Sequence, residues 1–387
     1  ILTKTHTTMK TLLLSTIIAS GAMMLTGCTD APDMPASNNA AFDKDEALVK
    51  SRAQSDFDIQ SAIDKAAPGE TVYIPAGEYV TGTIRLHSDM TLVIDENATI
   101  IGTDDLDAYD HYRPTKDMTR YDTGAGTRNA NLTGDARWTK ALILAQNVKN
   151  VTIMGGGTIN GMHRRDPQGE ESMRGPHGIL IAESENVTVK DIKIRKASNY
   201  AVLGYELVNS TFDGLDIEEG WDGIHIRGGE KLTIKNCDIK TGDDAIAGGY
   251  WKGMTISNCK LNSSCNGVRM IEPSSDFTIE GCNIYGPGKF PHITSGNTTS
   301  IYGIVFEPGA WGYAPGHTEN VKILNSNIDR MGLTIVYNLG DGCTANGLLV
   351  DGVVGTNIRS GYRIVSQQTH ATVWDNIDIR NSSVNGR

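Results

Sequence analysis

The chain has 387 residues, a formal net charge of −11, 39% hydrophobic residues, 43 glycines and only 6% aromatic residues. A surface this acidic repels phosphates, and no basic stripe offsets it, which argues against nucleic acid as a partner. The hydrophobic share excludes a disordered chain, and many glycines with few aromatics suit a turn-rich all-β protein.

Residues 1–8 read as an upstream extension, because an export signal begins at Met9: Met9-Lys10, an apolar run from Thr11 to Leu25, then Thr26-Gly27-Cys28. The run is short for a membrane-spanning helix. Leu25-Thr26-Gly27-Cys28 resembles a bacterial lipobox, which implies a signal peptide over 9–27 and lipidation of Cys28. Residues 28–45 then form a polar tether. The protein is expected in the bacterial cell envelope, at the outer membrane or in the periplasm, or else secreted; its membrane contact is the N-terminal lipid alone. Residues 46–387 contain no linker and read as one domain.

Between residues 55 and 67, Phe57, Ile59, Ala62, Ile63 and Ala66 recur at helical spacing, which predicts a short amphipathic helix capping the open end of the fold. From Glu70 to Thr103 short β-branched runs alternate with Pro-Ala-Gly and Ser-Asp turns. Similar segments then recur at Val187, Ser210, Leu232, Met254 and Phe277. Their threonines, Thr188, Thr211, Thr233, Thr255 and Thr278, are spaced by 23, 22, 22 and 23 residues. Strands at this period, separated by Gly, Asn and Asp, predict the coils of an all-β parallel β-helix. Cys237, Cys259 and Cys282 share one repeat position and should stack as a buried ladder.

Eleven residues past the first four threonines stand Asn199, Asp222, Asp244 and Asn266, with Asp243 beside the file. Equivalent positions on adjacent coils lie roughly 4.8 Å apart, so Asp222, Asp243 and Asp244 should form one carboxylate patch. Clustered carboxyls repel, which raises at least one pKa and keeps a proton available near neutrality. Asp222 and Asp244 are close enough to hold a water between them as a base pair. The acids with their flanking Asn residues supply few ligands for calcium. Alternation puts Ile224, Ile226, Ile246, Val268 and Met270 inside the coil and turns His225, Arg227 and Arg269 outward, an exposed set suited to an anion. Trp221 and Trp251 flank the acids and are candidate platforms for the face of a ligand. Two stretches break the rhythm and should rim a groove: Gly161 to Gly178, with Arg174 and His177, and Tyr285 to Ile301, with Lys289 and His292.

From about Phe57 to Ile328 the chain resembles the polygalacturonase family of glycoside hydrolases, right-handed parallel β-helix enzymes that cleave pectin-type polysaccharides. The segment from Ala62 to Gly102 is similar to that family's first coils, and the segment from Ala141 to Gly161 to its next landmark. The family's Asn-Thr-Asp-Gly stands here as Gly220-Trp221-Asp222-Gly223, and its Gly-Asp-Asp as Gly242-Asp243-Asp244. The resemblance implies an inverting hydrolysis in which Asp243 is the general acid, with no cofactor and no metal. Two motifs depart from the family. Cys265-Asn266-Gly267 stands for Gly-His-Gly, and in Gly303-Ile304-Val305-Phe306-Glu307 the residues Val305 and Glu307 replace two basic residues that in the family face the galacturonate carboxylate.

The expected partner is therefore a polysaccharide, acidic or sulfated, pectin-like or an algal galactan. Asn199, His225, Arg227, Trp251, Asn266, Arg269, His292 and Glu307 are the expected substrate contacts. A lyase or epimerase on the same fold, and a glycan-binding β-helix without catalysis, are the other classes this scaffold accommodates.

Overall fold

A computed structural model of the chain describes residues 56–122, 131–271, 273–307, 315–368 and 372–387. The expected signal peptide, Cys28 and the tether lie outside the described residues.

A single coil shows how the sequence builds the rest. Ile224–Lys235 is a long strand; the chain turns at Asn236 and Cys237, runs through the short strand Asp238–Thr241, and turns again at 242–245 into the long strand Ile246–Ser257. Neighbouring coils pair in parallel at equal register: Ile224 with Ile246, Thr233 with Thr255, Lys235 with Ser257. The short strands Asp238–Thr241 and Lys260–Ser263 pair likewise. Repetition gives two parallel sheets, of 19 and 11 strands among the described residues. This is the predicted parallel β-helix, and its register runs through the repeat threonines from Thr188 to Thr278.

Inside the coil, Ile224, Ile226, Ile246, Val268 and Met270 are buried in one continuous core, as alternation predicts. Cys237, Cys259 and Cys282 form the expected ladder, each thiol directed at the carbonyl two residues before it. The turns explain the abundance of Asn. Asn150, Asn186 and Asn209 adopt left-handed backbone at φ 56°, 56° and 48°, a region that Asn enters more readily than most residues. Their side chains form a second ladder, with Nδ2 of Asn186 donating to Oδ1 of Asn150 at 3.1 Å and Nδ2 of Asn209 to Oδ1 of Asn186 at 2.6 Å.

The capping helix is present as Ile59–Lys65. Asp58 accepts the Ser61 N–H to begin it, and Ile59 and Ile63 join the core at the first coil. It ends before Ala67 because the residue preceding a proline, here Pro68, disfavours helical backbone.

A second apolar layer lies outside the coil, and periodicity did not reveal it. Tyr112, Met118, Tyr121 and Trp138, from the non-repeating stretch before the strand Ala141–Gln146, pack on the outward residues Tyr200, Leu203, Tyr205 and Trp221. The outward face here is thus covered rather than solvated. His225, Arg227 and Arg269 are 1%, 2% and 7% exposed, which overturns the expectation of an exposed cationic set.

Two glycines are required where coils approach closely. At Gly248, φ is +129° and a Cβ would sit 1.8 Å from the Ile226 carbonyl oxygen; at Gly242, before the paired acids, it would sit 2.5 Å from the Pro291 oxygen. Truncating a large core side chain should leave a void that the stacked coils do not close. Phe277→Ala, at a fully buried position, is expected to lower the unfolding free energy in urea by about 3–5 kcal/mol.

Candidate active site

The acids occupy the turns between the short and long strands, where coil-to-coil hydrogen bonds fix their spacing. The N–H of Ala201 donates to the Asp222 carbonyl at 2.9 Å, that of Gly223 to the Asp244 carbonyl at 3.0 Å, and that of Ala245 to the Asn266 carbonyl at 3.0 Å. Asp222, Asp244 and Asn266 therefore stack one per coil, as their offset from the repeat threonine predicts. Asp243 projects beside them, its carboxylate oxygen within 4.8 Å of one from Asp244.

Asp222 is held as an acceptor. Its Oδ1 receives the Asp244 N–H at 3.2 Å and its Oδ2 meets Nδ1 of His225 at 2.6 Å. Nε of Arg227 lies 3.2 Å from Nε2 of His225. A guanidinium only donates, so a neutral His225 carries its proton on Nδ1 and gives that hydrogen bond to Asp222. Burial, and then Arg227, push His225 well below its ordinary range, which keeps it neutral. Tyr200 stacks on its ring at 4.7 Å with planes 6° apart.

Asp244 differs. Its Oδ1 receives both the backbone N–H of Asn266, at 3.2 Å, and Nδ2 of that residue, at 2.8 Å, while Oδ2 lies 3.6 Å from Nη1 of Arg269. Burial first, then the charge of Asp243, push Asp244 up to about 7. Burial, then the charges of Asp243 and Asp244, push Asp222 well above the usual carboxyl range. Both oxygens of Asp222 accept hydrogen bonds, and Asp244 also accepts two and faces Arg269, so the two acids share a proton as a coupled pair.

Asp243 carries the opposite bias. Burial would raise it, but His292 and the guanidinium groups of Arg174 and Arg269 outweigh burial and hold it below the usual carboxyl range. Nε2 of His292 is 3.6 Å from its Oδ2. Arg174, 3% exposed, lies 3.9 Å from the same oxygen, 3.0 Å from Glu171 and 3.6 Å from Glu170, and its guanidinium sits 4.9 Å from the Trp221 ring. With the Arg174 and Arg269 guanidinium groups packed against Asp243 and Asp244, the paired acids are a poor seat for a hard metal ion.

Several expected substrate contacts have structural work instead. Trp251 is 1% exposed, belongs to the coil core, donates its indole N–H to the Ile226 carbonyl at 2.8 Å and packs on Phe277. It is no sugar platform, because its side chain points inward. Trp221 is closed over by Arg174. Asn266 accepts the Tyr302 N–H on its Oδ1 at 3.2 Å while its amide holds Asp244, so it orients an acid. Arg227 donates to His225 and to the carbonyls of Tyr121 and Asn131, and Arg269 joins Asp244 to Glu307, whose carboxylate is 3.4 Å away. His292 does reach the acids, and Asn199 is buried at the head of their file. Arg174 and Glu171 were missed as site residues; their signal was the non-repeating stretch that carries them.

Against known proteins, the family described as right handed beta helix region matches residues 177–376, just over half of the chain, and the one described as glycosyl hydrolases family 28 matches residues 66–250. The chain belongs to the polygalacturonase-like right-handed β-helix family. An exo-poly-α-D-galacturonosidase of Dickeya chrysanthemi is 26% identical over 235 residues, covering 49% of this chain and 38% of that protein. A mannuronan C5-epimerase of Azotobacter vinelandii is 25% identical over 279 residues, covering 68% of this chain and 23% of that one. The solved polygalacturonase of Erwinia carotovora superposes with a TM-score of 0.57 at 17% identity over 86% of this chain and 92% of that one, a likeness of fold. This β-helix spans between about a third and about half the length of the first curated relatives it matches.

The Asn266 amide favours the ionised form of Asp244, so its removal should let that acid keep its proton to higher pH. Asn266→Ala is expected to move the Asp244 titration, followed by carbon NMR of the carboxyl, upward by about one pH unit.

Proposed function

We propose that this β-helix protein is a glycoside hydrolase that cleaves a polysaccharide with inversion, using Asp222, Asp243 and Asp244. The observation that carries the reading is the meeting of three carboxyls in one small buried patch: Asp222 accepts hydrogen bonds at both oxygens, the cations around Asp243 hold it below the usual carboxyl range, and burial with Asp243 pushes Asp244 up to about 7. Inversion needs a carboxylate that activates water and a carboxylic acid that protonates the leaving oxygen.

Asp222, fixed by His225, is suited to the water. The proton starts on the Asp222–Asp244 pair. Asp243, at 13% side-chain exposure against 4% for each of the other two, is the acid most open to a sugar. For Asp243 to act as the donor that the family resemblance implies, it must take up the proton held beside it as the substrate enters and separates it from Arg174 and His292. The three acids then titrate as one unit.

The epimerase likeness raises proton abstraction next to a uronate carboxylate as a second reading. That reaction needs a free base; His225 has both ring nitrogens engaged, while Nε2 of His292 beside Asp243 makes no hydrogen bond among the described residues, so the preference for hydrolysis rests on the three carboxyls. An unsaturated or epimerised product would reverse this preference.

Asp243→Asn should lower kcat by about a thousandfold or more, within the range of general-acid catalysis, with folding and sugar binding retained; an active variant would remove the proposed acid. NMR of the first product should show an inverted anomeric centre, and retention would reject the mechanism. Because Asp244 surrenders its proton near pH 7, kcat/KM should fall as pH rises through about 7. A profile flat to pH 9 would contradict that assignment.

A further inference from the structure

We infer that the sugar unit held against the acids is uncharged, and that Glu307 enforces this choice. The inference rests on the hydrolytic reading above and deepens it by naming the substrate class.

A carboxylate or sulfate on the sugar would need a cation to replace its lost hydration. Three guanidinium groups lie around the acids among the described residues, and each already has partners. Arg174 is shared by Glu170, Glu171 and Asp243. Arg269 lies between Asp244 and Glu307. Arg227 is turned to His225 and two backbone carbonyls beneath the aromatic cover.

The floor beyond Arg269 points the same way. Arg269 pairs in register with Val305, and Val305 with Val336. Tyr302, Val305 and Val336 form a small apolar cluster on that outward face, with Glu307 at the end of the strand Tyr302–Phe306. Because Val305 and Val336 are fully buried, the group these coils offer a sugar is the partly exposed Glu307 carboxylate. An anionic substituent would face repulsion from Glu307 and would compete with it for Arg269, whereas a neutral sugar presents hydroxyls to Glu307.

The test compares polymers that differ in charge alone: polygalacturonate and its carboxyl-reduced form, within a wider panel of neutral and sulfated galactans. Wild-type protein should release reducing ends from uncharged chains with kcat/KM at least about tenfold above any charged counterpart. Glu307→Gln should narrow that gap by about tenfold through KM for the charged chain, with kcat little changed. Faster cleavage of the charged member of a pair overturns the inference. So does a Glu307→Gln variant that leaves the preference unmoved.

Binding of the same polymers to Asp243→Asn, followed by calorimetry, separates this inference from the hydrolytic reading. Tighter binding of the carboxyl-reduced chain supports the neutral subsite even where wild type releases no reducing ends, a result that would sink hydrolysis alone. Tighter binding of the uronate, or no binding of any uncharged chain, counts against the neutral subsite whatever the turnover.

Discussion

From Thr188 to Thr278 each coil hydrogen-bonds to its predecessor at equal register, so a sequence difference of about 22 residues becomes roughly 4.8 Å in space. Asp222 and Asp244 are neighbours for that reason alone, and the Asp244 N–H can reach the Asp222 carboxylate because the two turns superimpose. The constraint extends to what surrounds them. Asn266 stands one coil further along the same file, which places its amide on Asp244, and Arg269, three residues on, reaches the same acid from the strand that follows. A slip of one residue in the pairing would send alternate side chains to the opposite face, dispersing the acids and exposing the core together.

The same regularity explains which parts of the molecule were legible beforehand. Thr188 through Thr278 fixed the period, the period fixed the register, and the register fixed the file from Asn199 to Asn266. Alternation correctly assigned Ile224, Ile246 and Val268 to the interior. It also placed His225, Arg227 and Arg269 on the outward side, but a period-2 pattern reports only which way a side chain leaves the strand. Whether another layer lies over that face depends on segments with no repeat. Tyr112, Tyr121 and Trp138 provide the layer here, and their only mark in the sequence is aromatic density in a stretch of broken rhythm.

Trp251 failed for a related reason. It was expected to flank the acids, whereas it lies within the long strand Ile246–Ser257, and there its ring falls inward onto Phe277. Arg174 could not be assigned from its position either. It reaches Asp243 across 69 residues of chain, from a stretch whose path follows from packing on Trp221 and pairing with Glu170 and Glu171 rather than from any period.

Charge balance joins these observations. Burying an ion costs several kcal/mol unless an opposite charge or hydrogen bonds offset the lost water, and this site buries three aspartates together with Glu170. Arginines supplied by different coils and loops provide the offset. Arg174 acts on Asp243 and Arg269 on Asp244, while Asp222 has hydrogen bonds in place of a direct ion pair. That uneven division separates the protonation of the three acids. It also commits these two guanidinium groups to the protein's own carboxylates, so under the hydrolytic reading proposed above the charges that set the acids apart are no longer open to an anionic sugar.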